Sequence, residues 1–225
     1  RADVRVARAT QGPPPDEFTF PSDVIALVDR GVAHGIPDLA SRAISVLIWN
    51  PNGLVKRVKE MKLDRGFESF VLRHQLLIFS EVRMSPVAAE SDRMSKAQEA
   101  LEWFRGHGYT VEWAPGEDAH GGVVVCYRYL GVGARMGSPI TACGAGRSLE
   151  IEFSSFTVLA VYVPQMGTTG FTTERRVTWN RLMLEKVLEL RRLQKPFLIG
   201  GDMNIAPTLD DFCAKRLLKT PTWRR

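Results

Sequence analysis

Apolar and polar positions along this chain follow two different periods, and the switches between them mark out the elements. Ala43 to Trp49 is a short apolar run rich in Ile and Val, closed by Asn50-Pro51-Asn52-Gly53. It predicts a buried strand followed by a turn. Val55 to Arg73 has helical spacing, and Leu76 to Phe79 reads as a second strand. Ser91 to Gly106 predicts a helix with Met94, Ala97, Leu101 and Phe104 on one face. Short strands are predicted at Thr110 to Trp113, Gly122 to Tyr127, Ser148 to Phe153 and Phe156 to Val163. A long helix from Thr173 to Leu193 carries Trp179, Met183, Val187 and Leu190 along its apolar stripe. Phe197 to Ile199 is a last strand that enters Gly200-Gly201-Asp202. Strands first alternate with helices and then come as hairpin-like pairs. That order predicts a layered α/β or α+β domain whose sheets are covered on both faces. No internal repeat is visible.

Residues 1–40 read differently from the domain expected over 41–225. Gln11-Gly12-Pro13-Pro14-Pro15 is a cluster of breakers, preceded by Arg1, Arg5 and Arg8. Pro21-Ser22-Asp23 is a helix start signal and predicts one short helix over Asp23 to Val32. The region is expected to be an extension that wraps the main domain or contacts a partner. An Arg-rich start resembles a mitochondrial targeting remnant, against which Asp3 and the later acids argue.

Composition narrows the class. The 225 residues, 44% hydrophobic and 24% charged, suffice for one substantial core. No apolar run approaches the ~20 residues a membrane-spanning helix needs. Collagen, coiled coil and disordered tail are excluded on the same grounds. Cys126, Cys143 and Cys213 are scattered and share no CxxC spacing, so an intracellular, reducing setting is expected, in mitochondrion or nucleus. Thirty Lys and Arg against 25 Asp and Glu give a net charge of +5 and a pI near 9.3. That balance suits a polyanionic partner without requiring one.

The informative pattern is polar residues at the ends of apolar strands, where a layered domain presents functional groups on a rigid scaffold. Four ends qualify: Asn50 and Asn52, Glu81, Tyr162 with Gln165, and Asp202 with Asn204. Converged, they make two carboxylates, several amides and a phenol, with no thiol and no His pair. An oxygen-rich set of this kind suits Mg²⁺ or Mn²⁺ rather than zinc. It implies hydrolysis of a phosphodiester or phosphomonoester. Singly, each residue has a commoner structural explanation. Asn52-Gly53 and Asp210-Asp211 are ordinary turn chemistry, Glu81 could cap a helix, and Tyr162 could pack in a core. Trp103, Trp113 and Trp179 read as packing residues, and His34, His74, His107 and His120 stand alone. The combination carries the argument.

Trp49-Asn50-Pro51-Asn52-Gly53-Leu54, Phe79-Ser80-Glu81-Val82-Arg83, Tyr162-Val163-Pro164-Gln165 and Gly201-Asp202-Met203-Asn204-Ile205-Ala206-Pro207 stand in one order. Together they resemble the exonuclease III and apurinic/apyrimidinic endonuclease family, within the endonuclease/exonuclease/phosphatase superfamily. Weaker echoes are Gly121-Gly122-Val123, Gly146-Arg147, and Arg176 and Trp179 on the long helix. The resemblance covers residues 43–220. The strand ending in Phe79-Ser80-Glu81 departs from the usual Leu-Gln-Glu-Thr-Lys and keeps only its Glu.

The resemblance implies a four-layer α/β/β/α sandwich of two packed mixed sheets with helices outside, incomplete at its C-terminus. It also implies a metal-dependent phosphodiesterase acting on DNA at abasic sites or 3′ ends. Glu81 would be the principal Mg²⁺ (or Mn²⁺) ligand, with Asn50 and Asn52 beside it. Asp202 would deprotonate the attacking water, Asn204 would hold Asp202 or the phosphate, and Tyr162 would donate to the phosphate or leaving group. Gln165, Arg147 and Arg176 would contact the nucleic-acid backbone. The duplex would be kinked and the abasic sugar flipped out. The family's later strand ending in Asp and its final Ser-Asp-His have no counterpart after Asn204, which leaves two thirds of a catalytic site. Two explanations follow: a longer enzyme, or a catalytically degenerate member kept as a structural part of a nucleic-acid or ribonucleoprotein assembly. In the second, a protein partner would fill the missing region. A phosphatase or lipid phosphodiesterase of the same superfamily, and RNA in place of DNA, are further alternatives.

Overall fold

The chain runs through β1 (Val6–Ala9), β2 (Val46–Trp49), α1 (Leu54–Leu63), α2 (Arg65–Leu72), β3 (Leu76–Ser80) and α3 (Ser91–Gly106). It continues through β4 (Thr110–Ala114), β5 (Val123–Tyr127), β6 (Arg135–Met136), β7 (Ser148–Glu152), β8 (Thr157–Tyr162), α4 (Gly170–Arg192) and β9 (Phe197–Asp202). The structure is a computed structural model that describes residues 6–9, 44–84, 91–117, 121–130, 135–137, 139–140, 143–166 and 170–205. The predicted helix over Asp23 to Val32, Cys213 and Asp210-Asp211 lie outside the described residues.

Two mixed sheets result. The first has the order β1-β2-β3-β5-β4, with β1, β2 and β3 parallel and β5 antiparallel to both β3 and β4. The second has the order β6-β7-β8-β9, antiparallel except for the parallel pair β8–β9.

The period of two along each strand divides its residues between cores. Leu47 and Trp49, Leu77 and Phe79, and Val124 and Cys126 point outward to meet Leu54, Val58 and Met61 of α1 and Leu101 and Phe104 of α3. Their neighbours Val46, Leu76, Ile78, Val123 and Val125 turn the other way and meet Leu149, Ile151, Val158 and Ala160 of the second sheet. On the far side of that sheet, Leu159 and Val161 pack against Trp179 and Leu190 of α4. Helices, sheet, sheet and helix therefore form the four-layer α/β/β/α sandwich that the resemblance implied. Buried strands read as continuous apolar runs because both of their faces are covered.

Two predicted elements need correction. The helix expected over Val55 to Arg73 is two helices, because Asp64 is extended (φ −119°, ψ 102°) and its Oδ1 accepts from Gly66 and Phe67 N–H at 2.9 and 3.0 Å. An Asp that caps the next helix breaks the previous one. The last strand reaches Asp202 rather than stopping at Ile199, since its pairing with β8 runs through Tyr162↔Asp202. Within the predicted extension, Val6–Ala9 pairs in parallel with Val46–Trp49 at the edge of the first sheet.

Candidate active site

The four strand ends singled out by the sequence meet at one end of the sandwich. Asn50 follows β2 and Glu81 follows β3, adjacent parallel strands of the first sheet. Tyr162 and Asp202 end β8 and β9, which are paired in register in the second. One side chain joins the two sheets. Asn50 Nδ2 donates to Glu81 Oε2 and to Asp202 Oδ2, at 2.8 Å each. Asn50 Oδ1 accepts from the Asn52 N–H at 3.0 Å, which fixes the direction of the amide.

The loops are clamped by backbone bonds. Gly53 and Leu54 N–H donate to the carbonyls of Glu81 and Val82, while Val82 and Arg83 N–H donate to those of Gly122 and Gly121. Among the described residues six non-glycine residues have positive φ, and four of them sit here: Asn52 (50°), Glu81 (55°), Arg83 (53°) and Asn204 (47°). Asn tolerates this region, but Glu and Arg do not without a cost of about 1–3 kcal/mol each. Backbone strain thus collects where the polar side chains converge.

Glu81 is surrounded by donors. Besides Asn50, Arg83 Nε and Nη2 reach Glu81 Oε1 at 3.1 and 2.6 Å, and the Tyr162 phenol is close enough for the Glu81 charge to act on it. Burial, with Glu81 and Asp202 nearby, pushes the Tyr162 pKa up to about 12, and Arg147 opposes the shift. The Arg147 guanidinium lies 4.7 Å from the Tyr162 ring centroid. Asp202 is oriented by Asn204, whose N–H donates to Asp202 Oδ1 at 2.9 Å. The Asn204 side chain is turned away, donating to the Val163 carbonyl at 2.8 Å. Gly201 has φ 140°, and a Cβ there would fall 1.8 Å from the Val161 carbonyl oxygen, so only glycine fits before Asp202.

Placement distinguishes the remaining candidates. The side chains of Asn50, Glu81, Tyr162 and Asp202 are together, with Arg147 stacked beside them. Asn52 is exposed and contributes through its backbone N–H, and Gln165 is exposed just beyond Pro164. Arg176, which the resemblance placed at the nucleic-acid backbone, has its side chain turned inward. It is buried, with Nη1 donating to the Pro164 and Asn204 carbonyls at 2.9 and 3.2 Å and Nε to Asn180 Oδ1 at 3.0 Å. It ties together the chain segments that follow β8 and β9. Burial lowers the Arg176 pKa, with the charge of Asp202 acting in the other direction. Among the described residues His74 and His107 belong elsewhere, each with Nδ1 at a helical carbonyl (Val71 and Trp103). Sequence reasoning did not assign Arg83, whose Glu81 contact depends on a left-handed backbone that leaves no local sequence signal.

A family model describing the Endonuclease/Exonuclease/phosphatase family matches residues 48–222. The chain belongs to that family. Relatives in sequence include an exodeoxyribonuclease of Streptococcus pneumoniae, 37% identical over 71 residues, 32% of this chain and 26% of that protein. A DNA-(apurinic or apyrimidinic site) endonuclease of Dictyostelium discoideum is 23% identical over 180 residues, 76% of this chain and 45% of that protein. The chain thus spans less than half the length of either relative. Among solved structures, an AP endonuclease from Archaeoglobus fulgidus superposes with a TM-score of 0.55 at 17% identity, covering 78% of this chain and 63% of that one. The 3′ phosphatase NExo from Neisseria, bound to a product DNA hairpin, superposes with a TM-score of 0.53 at 18% identity, covering 74% and 60%. These likenesses establish the fold.

The donor set fits an oxygen-seeking divalent cation. Two carboxylates from different sheets are brought within reach of one amide, and Mg²⁺ is commonly held by one or two carboxylates with water completing its shell. Among the described residues no group of three or more His, Cys, Asp and Glu side chains is placed to hold a metal ion.

Proposed function

We propose that this domain is a Mg²⁺- or Mn²⁺-dependent phosphodiesterase that acts on DNA at abasic sites or 3′ ends. One observation carries the reading: a single amide, Asn50 Nδ2, holds a carboxylate from each sheet at 2.8 Å. Gathering two like charges destabilises a fold unless a ligand or a reaction uses them. A bound cation would supply charge neutralisation and polarisation of the phosphate. Glu81 would be its chief ligand, with Asn50 and Asn52 beside it.

The chain's own groups divide the remaining work. Asp202 accepts the proton of the attacking water, held in position by the Asn204 N–H and by Asn50. Tyr162 is a neutral phenol at working pH, and its O–H would donate to a phosphate oxygen or leaving group. Arg147 and Gln165 face the nucleic-acid backbone, and Arg176 acts as a positioning residue behind them.

A second reading, a catalytically inert member serving as an assembly component, is favoured by one observation. Protein donors already engage both oxygens of Glu81. Incubating the purified chain with an end-labelled abasic duplex, with and without Mg²⁺, separates the two. Metal-dependent incision that is lost in Asp202→Asn supports the enzyme. Absence of incision, or incision that survives Asp202→Asn, supports the scaffold.

A further inference from the structure

We infer that Arg83 is a built-in counter-cation that occupies Glu81 in the absence of a divalent ion and leaves it when one binds. The inference rests on the reading of Glu81 as a metal ligand.

A carboxylate presents about four lone-pair directions. On Glu81, Oε2 accepts from Asn50 Nδ2 and Oε1 accepts twice from Arg83, which fills the lone pairs of Oε1. A cation taken up at Oε1, or across both oxygens, therefore displaces a donor, and the two donors are not equivalent. Asn50 is anchored at its other end by the Asn52 N–H and also holds Asp202. It is neutral. Arg83 carries a positive charge, which a divalent ion at Glu81 repels at short range.

Geometry selects the same donor. The Arg83 side chain is 37% exposed, against 16% for Glu81, so its head lies at the mouth of the site. The root of that side chain cannot follow. Residues 81 and 83 are both left-handed, and the Val82 and Arg83 N–H groups are tied to the Gly122 and Gly121 carbonyls. The Cβ position at Gly53 lies 3.9 Å from Arg83 Cδ, so the glycine leaves the stem room to pivot. Displacement is then a rotation of the side chain about a fixed backbone. Without an ion, the guanidinium offsets part of the charge that Glu81 and Asp202 bring together. With one, the same charge competes against it.

Mn²⁺ binding to the whole chain, read from the paramagnetic resonance of the free ion, tests the inference without reference to turnover. Arg83→Gln is expected to tighten Mn²⁺ binding about tenfold, within the usual range of coupling between two sites. Arg83→Lys, which keeps the charge but loses the fork, should fall between the two. It carries the test if Arg83→Gln does not fold. Glu81→Gln should abolish the binding. Mn²⁺ affinity that is unchanged or weaker in both Arg83 variants, with binding still lost in Glu81→Gln, overturns the counter-cation and leaves the metal reading intact. Mn²⁺ binding that survives Glu81→Gln removes both.

Discussion

Two clusters among the described residues, each joining carboxylates to a cation, are built to opposite specifications. Beneath α4, Lys186 Nζ lies 2.6 Å from Glu150 and 2.9 Å from Glu189. Glu150 and Lys186 are almost fully buried, on a regular strand and a regular helix. Burial alone would lower the Lys186 pKa, but hydrogen bonds and charge from Glu150 and Glu189 more than reverse it. At the sheet ends, Glu81 and Asp202 share a neutral amide, the nearby cation is partly in solvent, and the backbone is left-handed at Glu81 and Arg83. The first cluster is closed and serves the fold. The second is open and its backbone is strained, as expected of a site that awaits something.

The contrast is broken most directly by removing one partner of the buried pair. Lys186→Met strands Glu150 against the sheet and is expected to cost about 3–5 kcal/mol in urea unfolding. Replacing both, with Glu150→Leu, should recover much of that loss. Next in size is Arg176→Ala, which releases the Pro164 and Asn204 carbonyls. It should cost about 1–3 kcal/mol and lower the incision rate more than it weakens duplex binding. Glu81→Gln and Asp202→Asn should leave stability unchanged or raise it by about 0.5–2 kcal/mol while eliminating metal-dependent incision. A cost like that of Lys186→Met would mean the two clusters do the same job.

The smallest effect is in the alkaline titration. Tyr162 and Tyr109 both have pKa values pushed to about 12, each mainly by burial. A raised pKa favours the neutral phenol in the fold, so its contribution to stability is complete below about pH 10 and disappears as the pH rises to about 12. Absorbance at ~295 nm follows phenol ionisation and should show late-titrating groups, of which Tyr162→Phe should remove one. If that variant instead loses a step near the ordinary phenol value, Tyr162 stands in solvent.

The sandwich was legible because its strands are covered on both faces. Runs such as Leu76 to Phe79 are wholly apolar, and polar residues stand out at their ends. Convergence of Asn50, Glu81, Tyr162 and Asp202 followed from four such ends. What stayed hidden depends on contacts distant in sequence. β1 is an edge strand only because Val46–Trp49 offers it a partner. The Arg83 contact with Glu81 arises from backbone held by Gly121 and Gly122, far along the chain. Arg176 carried a readable signal: it stands three residues before the buried Trp179, a spacing that shares a helical face. Its charge drew attention to solvent, when its position pointed to the sheet.

The bridge through Asn50 has a mechanical side. Its two carboxylates hang from different sheets, and nothing within either sheet fixes their separation. That gap is set by how closely the sheets lie, and β9 meets the first sheet through Gly200, where a Cβ would come within 2.8 Å of Ile48 Cδ1 and 3.0 Å of Ile78 Cδ1. Gly200 and the two isoleucines thus act as the spacer of a caliper whose jaws are Glu81 and Asp202. A single methyl group inserted there would open the jaws without touching a polar atom.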